Sequence, residues 1–412
     1  MPRPTSDRRA TERKHSWPMV RLGDVCEEIK DRIQSSKISV DEYVTTDNMV
    51  KDRGGIVQAE YVPSEVGLVE YHKGDVLIAN IRPYLKKIWL ADHDCGCSSD
   101  VVVFRSNADG LSSEYLYSVL SQDGYFEYVM QKPRGTKMPR GDRDWMKEFR
   151  FPLPPLSEQK EIVARLERDL ATVEKIKKDF EALAETAKAE FTAELKEVFE
   201  EISRGGAEMR RLGEICELIS DCPHTTAKDE CVGIPLIRTP NVGFTRLILA
   251  GVHRVSEDVY KQRTKRAIPL PGDLIFAREA PAGNVAVIQS GEKVCLGQRT
   301  VLLRLRKGCF SDYIAYSVLQ PESQKILIQK STGSTVSHVN VCDIKTFPIH
   351  IPPLSVQREV VARLDSAKAR AEKLEAKARE GVAVCETMRK AILKEAFDDG
   401  RASPAIGKAT GR

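Results

Sequence analysis

Pro154-Pro155-Leu156-Ser157-Glu158-Gln159-Lys160-Glu161-Ile162-Val163-Ala164-Arg165-Leu166 returns 198 residues later as Pro352-Pro353-Leu354-Ser355-Val356-Gln357-Arg358-Glu359-Val360-Val361-Ala362-Arg363-Leu364. A pattern of this length written twice marks an internal duplication, and it decides how the rest of the chain divides. In each copy the prolines forbid a helix before them. Ser157 and Ser355 then stand where an N-cap hydroxyl can satisfy the free N–H groups of a first turn.

Downstream of each copy runs a long helical stretch. Residues 157–203 contain neither Pro nor Gly, and residues 355–398 contain only Gly381. Apolar residues recur at heptad spacing, so the seam is placed at Ile162, Leu166, Val173, Ile176, Phe180 and Leu183 in the first stretch. From Phe180 to Phe191 the apolar step lengthens to eleven residues, which relaxes a left-handed supercoil locally. The second seam reads Val360, Leu364, Ala371, Leu374, Ala378, Met388 and Ile392. Bulk on one seam faces small residues on the other, which favours the two helices pairing with each other, antiparallel, over pairing like with like. Two helices packed independently on their own domains are the alternative.

Upstream, the duplication continues. Arg21-Leu22-Gly23-Asp24-Val25-Cys26-Glu27 matches Arg211-Leu212-Gly213-Glu214-Ile215-Cys216-Glu217, and Gly74–Ala79 matches Gly272–Ala277. Tyr117-Ser118-Val119-Leu120 returns as Tyr316-Ser317-Val318-Leu319, and Gly135-Thr136 corresponds to Gly333-Ser334. Between these blocks the halves diverge. Short β-rich runs such as Val101–Phe104 and Val301–Leu303 alternate with turn residues, and one helical stretch lies near Tyr115–Val129. The fold class is therefore α+β, with two pseudo-symmetric heads, each followed by a long helix. The divisions are a basic leader 1–16, a first head 17–156, a central helix 157–204, a second head 208–354, a C-terminal helix 355–398 and a tail 399–412.

Composition excludes more than it specifies. At 41% hydrophobic and 30% charged residues the chain reads as globular, and no apolar run reaches the roughly 18–20 residues that cross a bilayer. A net charge of +4 is too small to argue nucleic-acid binding alone. Its distribution is more informative: residues 17–156 sum to −4, residues 208–352 to +5, and residues 132–150 hold seven basic against three acidic side chains. Such a cluster can meet phosphates locally. Ten scattered cysteines lack zinc-ligand spacing and read as reduced residues of a cytoplasmic protein. There is no phosphate loop, no dinucleotide fingerprint and no Asn-Pro-Pro-Tyr or Asp-Pro-Pro-Tyr methyltransferase motif. The sequence points away from an enzyme.

Taken together, the doubled Pro-Pro-Leu-Ser-x-Gln helix starts, Asp221-Cys222-Pro223-His224-Thr225-Thr226 with Gly233–Thr239, and Asn80–Lys87 resemble the specificity subunits of type I restriction-modification enzymes over roughly residues 17–398. The resemblance implies two target-recognition domains. Each reads one half of a split, asymmetric double-stranded DNA target, and the helices set the spacer. It also implies partners: two methyltransferase subunits carrying S-adenosylmethionine, and restriction/translocase subunits joined to that core in defence against phage. A single specificity chain would sit in the complex, without catalysis, a cofactor of its own or a membrane. Two other readings stay open: a recognition subunit for a fused type II restriction-methyltransferase, and a coiled-coil scaffold that binds no DNA.

Candidate DNA-contacting residues are polar and basic side chains on loops that differ between the halves. In the first head they are Thr45, Thr46, Asn48, Arg82, Lys86, Lys87, Arg134, Lys137 and Arg140. In the second they are His224, Thr225, Lys228, Arg238, Asn241, Arg278, Asn284, Arg299, Thr335, His338 and Asn340. Arg suits guanine and Asn adenine as bidentate partners, while Lys and Thr mostly hold phosphates.

Overall fold

The computed structural model describes residues 17–330 and 338–397; the leader 1–16, Thr335 and the tail 399–412 lie outside these. The chain forms two compact units, one running to Asp179 and resuming at Gly381, the other Phe180–Glu380. Each unit holds one head and a half of each long helix.

In the first head, strands Cys26–Glu28, Val101–Ser106, Val76–Ala79 and Ile88–Leu90 form a four-stranded antiparallel sheet in that order. Its central strands bury both faces. Val76, Ile78, Val102 and Phe104 point into one core, and Leu77, Ala79, Val101 and Val103 point into the other, as the two-residue period of a strand requires. A second sheet, Arg32–Gln34, Gly67–Tyr71 and Cys95–Cys97, covers the latter core. Helices Ser113–Leu120 and Asp123–Val129 cover the former. The second head repeats the main sheet with Cys216–Asp221, Thr300–Leu305, Leu274–Ala277 and Val285–Val287. Its smaller sheet differs, pairing Ile234–Ile237 antiparallel to Arg254–Val255 and parallel to Cys295–Leu296.

The doubled motif fastens head to helix by one device. Gln159 is fully buried; its Oε1 accepts the Ser112 N–H (2.9 Å), and its Nε2 donates to the carbonyls of Gly110 (2.6 Å) and Pro154 (2.8 Å). Gln357 repeats this with Phe310 N–H (2.8 Å), Gly308 (3.1 Å) and Pro352 (2.8 Å). Tyr115 and Tyr313 donate to Pro152 and His350 carbonyls, each at 2.8 Å. Asp75 and Asp273, both buried, hold Arg105 and Arg304 by the same two bonds of 2.8 and 2.7 Å. Buried polar groups with their partners in place specify a geometry that apolar packing alone leaves loose.

The long helices span Leu156–Arg204 and Leu354–Phe397, about 74 and 66 Å at 1.5 Å per residue. They begin two residues earlier than the serine caps imply. Pro155 O accepts the Gln159 N–H at 3.0 Å and Pro353 O the Gln357 N–H at 3.1 Å. The prolines are thus the last residues outside the helices, and Ser157 and Ser355 lie exposed in the first turn.

Within each unit the helix halves pair antiparallel. In the first, Ile162 and Leu166 share a core with Leu393, Ala396 and Phe397, while Lys177 donates to Glu386 Oε1 at 2.6 Å. In the second, Leu195, Val198 and Phe199 pack with Val360, Val361 and Leu364, flanked by ion pairs from Arg363 to Glu194 and Glu201 and from Arg370 to Glu194. Val173, Ala371 and Ala378 are buried, and Phe180, Leu374 and Ile392 are half-buried. Three seam assignments need correcting: Ile176, Leu183 and Met388 are 37%, 36% and 42% exposed. Half-buried Lys177 and Ala184 take the places of Ile176 and Leu183, so a four-three step runs through Val173, Lys177, Phe180, Ala184, Ala187 and Phe191. No eleven-residue step is needed. Counting only apolar residues missed Lys177, whose aliphatic stem lies in the seam while its ammonium reaches a carboxylate.

Candidate nucleic-acid interface

In both heads three segments converge beyond the same end of the main sheet. In the first these follow strand Val76–Ala79, precede strand Val101–Ser106, and precede the short helix Arg143–Lys147. Asn80 N–H donates to Asp100 O (2.8 Å), Gly141 N–H to Asn80 O (3.1 Å) and Arg82 N–H to Pro139 O (2.7 Å). Arg134 and Arg140 exchange two backbone bonds of 2.8 Å, closing the 134–140 hairpin. In the second head Arg278 N–H donates to Arg299 O and Val339 N–H to Arg278 O, both at 2.9 Å. These bonds are all backbone to backbone, so they hold whatever side chains the loops carry.

Convergence brings Arg82, Arg134, Lys137 and Arg140 into one exposed basic group. Arg82 sits in the left-handed region (φ 52°), a conformation that an arginine holds only because the bonds around it compel it. Arg140 pairs with Asp100 at 3.2 Å and Arg134 with Asp142 at 2.8 Å. The Asp142 carboxyl also caps the Arg143–Lys147 helix, and the Trp145 backbone N–H followed by Arg134 hold it below the usual carboxylate range. Lys132 lies 3.7 Å over the Trp145 ring, which stacks on Tyr128 at 4.4 Å. Thr46 joins this side through its carbonyl, which accepts from Lys87 Nζ at 2.6 Å. Thr45 is half-buried. Asn48 is not free to read a base: it is buried, accepts the Thr45 N–H and donates to Tyr43 and Val57 carbonyls. Lys86 binds Asp123 at 2.7 Å, away from the hairpin residues.

The second head wires the same place differently. Arg278 is almost enclosed: Nε donates to Val339 O (3.0 Å), Nη1 meets Asp221 (3.1 Å) and Nη2 lies 2.8 Å from His338 Nε2. His338 Nδ1 is 2.9 Å from Glu279, whose other oxygen pairs with Arg299. Asp221 also lies 3.4 Å from His224 Nε2. His224, Arg278, Arg299 and His338 are therefore one network, joined by two acids, Asp221 and Glu279, that the sequence reading passed over. Arg299 is its outer member, with 64% of its side chain exposed. Asn241 is buried and repeats the Asn48 turn, accepting Arg238 N–H and donating to Ile248 O. Arg238 reaches His253 Nε2 (3.1 Å), and Asn284 donates to Val242 O (2.9 Å). Thr225 accepts from Arg263 (3.1 Å at its carbonyl), Lys228 is exposed, and Asn340 precedes helix Val341–Thr346. The described residues hold no cluster of His, Cys, Asp and Glu able to bind a metal, and no helix long and apolar enough to cross a membrane.

Comparison with known proteins supports the duplication independently. The family model for the type I restriction modification DNA specificity domain matches twice, over residues 14–183 and 205–382. The MjaVIII type I restriction enzyme specificity subunit of Methanocaldococcus jannaschii is 23% identical over 85% of each chain. The EcoDI specificity subunit of Escherichia coli is 30% identical, but over only 26% of this chain and 24% of that protein. Among solved structures, a chain from work on complex assembly and conformational transition of the type I R-M system aligns with a TM-score of 0.75 at 26% identity, covering 92% of this chain and 97% of that one. The HsdS subunit from Thermoanaerobacter tengcongensis aligns at 0.57, also 26% identical, over 92% and 96% of the two chains. Two domain matches, the doubled frame and these neighbours agree: the chain belongs to the specificity subunits of type I restriction-modification systems.

Proposed function

We propose that each head reads one half of a bipartite, asymmetric double-stranded DNA target through the loop end described above. The observation that carries this is one backbone scaffold presenting two dissimilar sets of side chains. In the first head the readers are Arg82, Lys137 and Arg140, with Arg134 and Lys87 on phosphates. In the second they are Arg299, His224 and Lys228, while Asn48 in the first head and Arg278 and Asn241 in the second shape the loops from within. The helix pair joins the readers and is the scaffold for two methyltransferase subunits, which bring S-adenosylmethionine, and for the restriction/translocase subunits. One specificity chain serves each cytoplasmic complex and performs no chemistry itself.

The test is reconstitution. The chain alone neither methylates nor cleaves DNA, and adding its methyltransferase subunit yields methylation at one split sequence. Methyl transfer by the isolated chain, or methylation without sequence preference by the pair, contradicts the proposal. Duplicating residues 192–195 then probes the spacer. Four residues advance a helix about 6 Å and turn it about 40° beyond one revolution, a stutter that coiled coils absorb by local unwinding. One B-DNA step turns about 34–36°, so the spacer should grow by one base pair. An unchanged spacer rules the helix out as the ruler.

A further inference from the structure

The junction between head and helix pair is built differently in the two units. In the second, Phe244 plugs it, with ring centroids 5.7 Å from Phe191 and 6.0 Å from Tyr316, and Lys368 Nζ 5.6 Å over its ring. The first unit can be compared position by position. Asn48 and Asn241 hold the same turn, Lys51 and Phe244 each follow three residues on, and Asp52 and Thr245 then both take a positive φ of 54° and 63°. Counted from the helix starts Leu156 and Leu354, Arg389 occupies the place of Phe191. Two phenylalanines are thus exchanged for a lysine and an arginine, and the junction stands open as a cleft of about 820 Å³.

Six basic and four acidic side chains line this cleft. Asp123 is matched by Arg53 at 2.5 Å and Lys86 at 2.7 Å, and Glu386 by Lys177. That leaves Lys51, Lys390 and Arg389 against Asp52 and Glu174, with the Glu386 carboxylate also attracting Arg389 and Lys390. The Nε of Arg389 is buried and has no hydrogen-bond partner among the described residues. A buried guanidinium N–H without an acceptor is costly, and in a positively biased cleft the group that relieves it is an anion. Forked donors suit the oxygens of a phosphoryl group, and the volume lies within the range of small-molecule sites, about 300–1,000 Å³. We propose that this cleft binds a multivalent phosphoryl anion, with Arg389 as its central donor and Lys51 and Lys390 at its rim. The inference does not rest on the assignment of the loop ends to DNA reading.

Inorganic pyrophosphate is the probe, titrated calorimetrically into the full chain at low salt. One saturable site per chain is expected. The variant carrying Lys51→Phe and Arg389→Phe, which copies the aromatic plug of the second unit, should weaken binding at least about tenfold. It should keep or raise the thermal midpoint measured without ligand. Arg389→Gln, which retains a polar side chain, should weaken binding similarly and supplies the result if the double variant does not fold. No saturable binding below about 10 mM, or equal affinity in the wild-type chain and these variants, overturns the proposal. A duplex lacking the target sequence separates two sources of the phosphoryl group. If pyrophosphate competes with the duplex and the variants lose duplex affinity, the anion is a backbone phosphate. If duplex binding is unmoved, the anion is free in solution.

Discussion

Among the described residues, the basic side chains at the loop end of the first head stand apart, whereas those of the second are tied to one another. Arg82 and Lys137 project from the first as exposed side chains, and its ion pairs, Arg140–Asp100 and Arg134–Asp142, are separate. In the second, His224, Asp221, Arg278, His338, Glu279 and Arg299 form one chain of contacts with a largely enclosed arginine at its centre. Yet two backbone bonds beneath them correspond, Asn80 to Asp100 and Gly141 to Asn80 in the first, Arg278 to Arg299 and Val339 to Arg278 in the second. The difference teaches that the frame is independent of what it displays: main-chain hydrogen bonds fix where the loops sit, and side chains decide how rigidly a reader is held. A reader locked by neighbours loses less entropy on binding than one free in water, so the two ends should differ in salt response as well as in preferred bases.

Substitutions can break or sharpen this comparison. The largest effect is expected on the common frame. Leu364 is fully buried in the core of the second unit, so Leu364→Ala should cost about 2–5 kcal/mol in denaturant unfolding. Leu374→Ala, at a half-buried position, should cost about 1 kcal/mol; equal losses would show that the burial along the seam is misassigned.

Next come the loop ends themselves. Arg278→Ala removes the hub of a network and leaves Asp221 without its main cation, so the second unit should lose about 2–4 kcal/mol. Arg82→Ala should change stability by less than about 0.5 kcal/mol while weakening recognition of the first half-site alone. Similar melting behaviour of the two variants would erase the contrast between the two loop ends.

Smaller still is the expected difference between the two helix fastenings. Gln159→Ala and Gln357→Ala each strand one backbone N–H and two carbonyls, at about 1–3 kcal/mol. Because their bonds match, the two losses should agree within about 0.5 kcal/mol. A clear inequality would mean that the frames are less equivalent than their geometry.

Much of this architecture was legible in the sequence. The doubled motif revealed two heads and two helices because a repeat needs no knowledge of contacts, and heptad spacing placed Ile162, Leu166, Val360 and Leu364 on buried faces. What stayed hidden depended on convergence in space. Arg278 and Arg82 both read as polar loop residues; only folding encloses one and exposes the other. Asn48 and Asn241 looked like adenine readers because nothing in their neighbours announces that the amide closes its own turn. Lys177 was invisible to an apolar count. Gln159 and Gln357 carried a usable signal, a large polar residue identical in both copies at the head of a helix, which marks a buried bond more readily than a surface one.

The central claim is that the heads are independent readers on a common frame, and exchanging one head tests it most directly. Residues 17–151 would be replaced by the equivalent segment of a relative with a different target. The chain would then be supplied with its methyltransferase subunit, and methylation mapped across a genome. The account predicts a motif whose first half changes while its second half and its spacer stay as they were. A motif altered in both halves, or one whose spacer shifts with the head, would contradict it.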